Sequence, residues 1–157
     1  MAQTLADLFD HCGDTDLCDR VFDRICEVHG NGADVSLLTD EERTVYLVWG
    51  ALGVIGNGGF RYLFESSIRG DPHYSLTRQA FEAIGCFEAA EAFRQALTAF
   101  TDGLPPTNAA KRARAYLRRF PGFASEPDRA FYEAGKRVPT CLATWVRARH
   151  RPHPHLA

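Results

Sequence analysis

Apolar residues recur at helical spacing along most of the chain. Over residues 15–29, Leu17, Val21, Ile25 and Val28 stand three or four positions apart, which predicts a helix with one apolar face. Similar spacing predicts further helices over 3–12, 75–86, 88–100, 108–120, 127–136 and 139–149. Strand-like alternation is scarce, so the sequence predicts an all-α, single-domain bundle of seven to nine helices.

A helix with a defined start is predicted near the middle of the chain. Thr39-Asp40-Glu41-Glu42 has the capping-box pattern, in which the Thr39 hydroxyl and the Glu42 carboxylate each accept a backbone N–H at the helix start. The helix should therefore begin at Asp40. Residues 45–55 are apolar almost all round, which favours the centre of the bundle. A second cap is predicted at Ser125-Glu126-Pro127-Asp128.

Five glycines follow the apolar run at 45–49, namely Gly50, Gly53, Gly56, Gly58 and Gly59. They do not match the dinucleotide-binding fingerprint, because Arg61 stands where its third glycine should be. No Gly-Lys-Ser/Thr run of a P-loop is present either. On a helix, Gly50, Gly53 and Gly56 would form a smooth strip, and we predict that a neighbouring helix packs there.

Length and composition fit one globular domain. The chain has 157 residues, 45% of them apolar, which is enough for a core. We predict a domain over 1–150 and a flexible tail over 151–157. The sequence shows neither a secretory signal nor an apolar stretch near the roughly 20 residues that span a bilayer, so we predict a cytoplasmic protein. Five scattered cysteines favour small buried side chains rather than a disulfide framework.

Charge is divided unevenly between the two parts of the chain. Residues 1–60 carry a net charge of −8 and residues 61–157 a net charge of +6. On the second predicted helix one acidic stripe spans about 16 Å; it consists of Asp16, Asp19, Asp23 and Glu27. A DNA-like surface of that length would need roughly nine or ten charges, so four are too few. The stripe is therefore either a solvated face or part of a partner-binding surface that includes Asp40 and Glu41.

Other candidate chemistry is weak. The basic helix around 111–119 could contact phosphates, but no nucleic-acid-reading motif accompanies it, so we expect no direct nucleic-acid binding. Cys26-x-x-His29 has ligand-type residues, with Cys12, Cys18 and His11 upstream, yet no CxxC pair exists. The serines lack a nucleophile elbow. We therefore predict no metal, no cofactor and no catalytic residue.

The run 54–66, which contains Asn57-Gly58-Gly59-Phe60, resembles the bacterial DNA-mimic protein family. Residues 79–86 and Phe131-Tyr132 extend the resemblance, which covers about residues 40–150. This family is a widespread domain of unknown function, and one characterised branch imitates DNA. The chain departs from the family pattern at Tyr62, where Gln is frequent, and at Ser66 or Ser67, where Asn is frequent.

The resemblance implies an all-helical fold and no catalytic residues. For the characterised branch it also implies a homodimer whose acidic surface occupies the DNA-binding face of a transcription regulator. The residues themselves favour a mainly structural motif. Gly58 and Gly59 permit a sharp turn, Asn57 would cap the next segment, and Phe60 and Phe64 would enter the core together.

Two functional hypotheses follow. The first is a non-enzymatic protein-binding domain whose acidic face docks on a basic DNA-binding regulator or a toxin; that face would comprise Asp16, Asp19, Asp23, Glu27, Asp40 and Glu41. The alternative is a small-molecule enzyme or sensor with a pocket near Asn57, Arg61 and Tyr62.

Overall fold

The computed structural model describes residues 9–150, which are helical except for short connections. The α-helices are α1 Asp14–His29, α2 Asp40–Glu65, α3 Ser75–Ala83, α4 Phe87–Leu97, α5 Ala109–Arg119, α6 Glu126–Gly135 and α7 Val138–His150. Residues 9–11 are also helical, and this part of the chain has no strand. The all-α prediction is confirmed. Most of the predicted helix at 3–12 and the predicted tail at 151–157 lie outside the described residues.

Helix α2 lies at the centre of the bundle and packs against α1, α3, α5, α6 and α7. Its predicted start is confirmed. The Glu42 N–H donates to the Thr39 hydroxyl at 3.2 Å, and the Thr39 N–H donates to the Glu42 carboxylate at 3.1 Å. Val45, Val48 and Ile55 are fully buried, because different faces of α2 meet different helices. No helix within residues 9–150 is long and apolar enough to cross a membrane.

Phe60 and Phe64 both enter the core, as the motif predicts. The Phe60 ring meets Phe93 and Phe131 edge-on, with ring centroids 5.2 and 5.4 Å apart. Phe64 meets Phe100 and Tyr74 in the same way. These edge-on contacts join α2 to α4 and α6, so the second part of α2 is fixed by packing.

The prediction that Gly50, Gly53 and Gly56 form a strip against which a neighbouring helix packs is wrong. A Cβ on Gly50 would lie 3.8 Å from the Phe22 ring, but Gly53 and Gly56 are exposed and a Cβ on either would have no neighbour within 4 Å. Val28, which the helical spacing places on the apolar face, is exposed as well, and so is Phe87 at the start of α4. Each lies at a helix end, where the helical pattern continues but no neighbouring element covers it.

The basic helix around 111–119 predicts cations on an outer, solvated face, and this is wrong for Arg112. Its side chain is 2% exposed and lies at the carboxyl end of α2. The guanidinium donates to the Phe64 carbonyl at 2.9 Å and to the Ser66 carbonyl at 2.6 Å. It also donates to the carbonyls of Pro106 and Thr107. A cation at a helix carboxyl end is favoured by the free carbonyls there, so Arg112 acts as a cap.

Candidate functional site

Part of the predicted acidic surface lines a groove between α1 and the beginning of α2. This groove, here called the N-terminal groove, encloses about 740 Å³. Asp23, Glu27 and Glu41 lie along it, together with Glu42, which the sequence analysis did not select. The apolar residues of the groove are Phe9, Leu17, Val21, Ile25 and Val45. Leu17, Ile25 and Val45 are buried at its floor, whereas Phe9 and Val21 are partly exposed and form the apolar surface that the acidic side chains border.

The other three predicted partner residues lie outside the groove lining. Asp16 pairs with Arg20 at 3.0 Å, and Asp40 pairs with Arg43. Asp19 accepts a hydrogen bond from the Trp49 indole at 2.9 Å. The first two of these carboxylates have cations beside them, so the net field of the surface is weaker than a count of acids suggests.

An arginine and two histidines accompany the carboxylates in the groove. Glu27 pairs with Arg24 at 3.3 Å, and the Glu41 carboxylate lies beside the His150 imidazole. His29 lies 3.1 Å from Glu42. Hydrogen bonds from His29 and from the Thr39 backbone keep the pKa of Glu42 below its usual value. The groove therefore keeps Glu42 ionised, and its two arginines, Arg20 and Arg24, lie on the same rim as the acidic side chains.

A second cavity lies at the motif, where α2 breaks. This motif cavity encloses about 540 Å³ between α2, the end of α5, the 121–124 segment and α6. Asn57, Arg61 and Tyr62, the three residues named for the alternative pocket, all line it. The lining also includes Tyr116, Leu117, Gly122, Phe123, Asp128 and Tyr132. The motif cavity is about 24 Å along α2 from Glu41, so the two sites are separate.

The two motif glycines make room for two of the cavity residues. A Cβ on Gly58 would lie 2.3 Å from the Tyr62 ring. A Cβ on Gly59 would lie 2.7 Å from the Asp128 carboxylate, and Gly59 has φ +72°, which disfavours other residues. Neither glycine is thus replaceable without moving a side chain of the cavity.

Asp128, rather than Asn57, caps the segment after the break. The Phe60 N–H donates to its carboxylate at 2.8 Å. The Ser125 N–H and hydroxyl donate to its other oxygen at 3.1 and 2.8 Å. One buried carboxylate therefore holds the start of α6 and the restart of α2. The cap predicted at Ser125 includes Asp128, but it predicts only the contact at the start of α6 and not the hydrogen bond with Phe60.

Asn57 does not cap as predicted, because its side chain makes no hydrogen bond with another residue of the 9–150 region. The amide lies exposed on the cavity wall. Both its carbonyl oxygen and its NH₂ group are available to a ligand.

The titratable groups beside Asp128 are held in their neutral forms. Burial raises the pKa of the Tyr116 phenol above its ordinary value, and the Asp128 charge raises it further. Burial and then the Asp128 charge also raise the pKa of Tyr132. Both phenols are therefore hydrogen-bond donors at neutral pH rather than phenolates.

The cysteines are not assembled into a metal site within residues 9–150, where no group of three His, Cys, Asp or Glu side chains could hold an ion. Burial raises the pKa of Cys18 and of Cys86 to about 12. These two thiols are protonated at neutral pH and pack as small apolar groups, as predicted.

Comparison with known proteins gives one match. The family model described as DMP19-like protein matches residues 36–149, which is more than half of the chain and includes the motif. No curated protein matches, and no solved structure matches.

Proposed function

Because the chain belongs to the DMP19-like family of DNA-mimic proteins, we propose that it is a protein-binding domain that docks the N-terminal groove on a basic DNA-binding regulator or a toxin. Proteins of this family are generally non-enzymatic. The observation that carries the proposal is the alignment of Asp23, Glu27, Glu41 and Glu42 along one groove with an apolar base. Such a site attracts a basic surface and then buries apolar contacts.

The charge density of the groove suits docking on a basic surface but is too low to imitate the full DNA phosphate array. Arg20 and Arg24 share its rim with the acids, so the charge density is below that of a duplex. Asp16, Asp19 and Asp40 are the outer part of the proposed surface and contribute to attraction at longer range. Affinity should depend on both salt and the apolar base.

The experiment uses a partner captured from the source cell and identified by mass spectrometry. We expect its affinity to fall steeply with added salt and to fall at least about a hundredfold in the triple variant Asp23→Lys, Glu27→Lys, Glu41→Lys. The matched control is Glu88→Lys, Glu91→Lys, Glu133→Lys. It makes the same charge change at exposed, ion-paired positions outside the groove.

Duplex DNA should also compete with the protein for the captured partner. Salt-insensitive binding, or equal loss of affinity in the groove variant and the control, would refute docking through the groove.

We also propose a cytoplasmic location and a homodimer, and light scattering tests the dimer directly.

A second candidate function is a small-molecule sensor that uses the motif cavity. It is favoured by the presence of Asn57, Arg61 and Tyr62 on one cavity whose volume is typical of ligand sites. The test is whether small molecules shift the NMR signals of Asn57 and Gly122 in the isolated protein.

A further inference from the structure

The motif cavity contains a buried negative charge that no cation offsets. Asp128 is 5% exposed, and its hydrogen bonds come from two backbone N–H groups, the Ser125 hydroxyl and, at 3.5 Å, the Tyr116 phenol, which are all neutral. Within residues 9–150 it takes part in no ion pair. The cation on the cavity wall, Arg61, is paired with Glu65 at 2.7 Å. Arg61 is thus already paired outside the cavity lining, whereas the Asp128 carboxylate has no salt-bridge partner among the described residues.

Three aromatic side chains of the cavity are unusually free. Tyr62 is 53% exposed, Tyr132 38% and Phe123 100%. None of them stacks on another ring or lies against an arginine in the described part of the chain, whereas the core rings form a continuous cluster. The Tyr62 ring lies against Gly58, and the exposed parts of the three rings, whose faces carry the negative end of the ring quadrupole, are available to a ligand.

From these two observations we propose that the motif cavity binds an organic cation, with its guanidinium or ammonium group near Asp128 and against the rings of Tyr62, Phe123 and Tyr132. Aromatic faces and a desolvated carboxylate both attract such a group. The side-chain carbonyl oxygen of Asn57 accepts a hydrogen bond from one N–H group of the ligand. This inference rests on the second candidate function, that the cavity takes a ligand.

Two kinds of molecule carry such a cation. One is a free amine or guanidine, and the other is a protein partner with a basic side chain. Five probes separate these sources and test the charge. N-acetyl-arginine methylamide represents the side chain, and butylguanidinium represents the free compound. Their neutral isosteres are N-acetyl-citrulline methylamide and butylurea. N-acetyl-glutamate methylamide supplies the opposite charge.

Each probe is titrated into the ¹⁵N-labelled full chain, and the signals of the Asn57 side-chain amide, Gly58 and Gly122 are followed. We expect each guanidinium compound to bind at least about fivefold tighter than its urea isostere. The glutamate compound should cause no saturable shift. Tighter binding of blocked arginine than of butylguanidinium assigns the cation to a partner side chain, and the reverse order assigns it to a free compound.

Variants show whether the rings are responsible. Phe123→Ala and Tyr132→Leu should each lower guanidinium affinity at least about threefold. The matched control Phe87→Ala removes a phenylalanine that is also exposed but lies outside the cavity, and it should leave the affinity unchanged. All three variants change exposed side chains, and their unfolding temperatures verify the fold.

The outcomes separate this inference from the function that it rests on. Equal affinity of the guanidinium and urea compounds would overturn the cation but leave the cavity as a ligand site. If none of the five probes shifts the three signals, both the cation and the ligand function are wrong. An unchanged affinity in Phe123→Ala and Tyr132→Leu would overturn the role of the rings, and with it the inference.

Discussion

Gly59→Ala should be among the most damaging single-methyl changes in this protein. Gly59 has φ +72° and ψ −173°, a region that is almost exclusive to glycine, and an alanine there costs about 1–3 kcal/mol. Its new Cβ would lie 2.7 Å from the Asp128 carboxylate, which would have to move away. That movement lengthens the 2.8 Å hydrogen bond from the Phe60 N–H, and a charged hydrogen bond contributes about 1.5–3 kcal/mol. We expect a loss of about 3–5 kcal/mol in the free energy of unfolding.

The assay is urea unfolding followed by circular dichroism at 222 nm, with linear extrapolation to water. Gly53→Ala is the matched control. It adds the same methyl group to the same helix at an exposed position without positive φ, where a Cβ has no neighbour within 4 Å. It should stabilise the protein by about 0.5–1 kcal/mol, because alanine is the better helix former.

A double-mutant cycle with Asp128→Ala separates the two causes of the loss. Without the carboxylate, Gly59→Ala should cost only the backbone strain of about 1–3 kcal/mol. A loss below about 1 kcal/mol in the single variant, or full additivity in the cycle, would show that Asp128 does not restrict residue 59.

Three further predictions concern stability and reactivity. Arg112→Met should lower the free energy of unfolding by at least about 3 kcal/mol in urea titrations, because it removes the buried donors to several backbone carbonyls. Arg112→Lys should not recover this stability, since lysine lacks the planar guanidinium that donates to these carbonyls together. The hydrogen bond from Arg147 lowers the pKa of Asp14 in the folded state. The stabilisation that ionised Asp14 contributes is therefore complete above the unfolded pKa near 3.8 and is lost as the pH falls through the folded pKa. In Asp14→Asn, the free energy of unfolding should accordingly depend less on pH in the acid range. Finally, Cys18 and Cys86, whose pKa values burial raises to about 12, should resist iodoacetamide at pH 8 in the native protein and react in urea, as peptide mass spectrometry would show; rapid native alkylation of either would contradict their burial.

The features that the sequence analysis predicted correctly are local ones. The capping box joins Thr39 to a residue three positions away, and Phe60 and Phe64 share a helix face because they are four positions apart. Helical periodicity likewise needs only a window of about a dozen residues. These signals act within a few turns of helix and need no knowledge of the packing.

The features that it missed are contacts between distant segments. Arg112 reads as one more cation of an amphipathic helix, and its burial depends on the end of α2, 46 and 48 residues earlier in the chain. Asp128 caps Phe60 across 68 residues. The acidic residues could be named, but which of them share a groove depends on how α1 packs against α2.

The sequence by itself thus determined the helices, most of their boundaries, the family and the position of the break, because backbone hydrogen bonding and side-chain spacing are short-range. Only the tertiary structure decided that the break is closed by a carboxylate of α6, that a cavity with free aromatic rings opens there, and that Asp23, Glu27 and Glu41 line one groove. The physical reason is that burial and electrostatic interactions depend on distance in space, and packing brings together charges and rings that the chain keeps far apart.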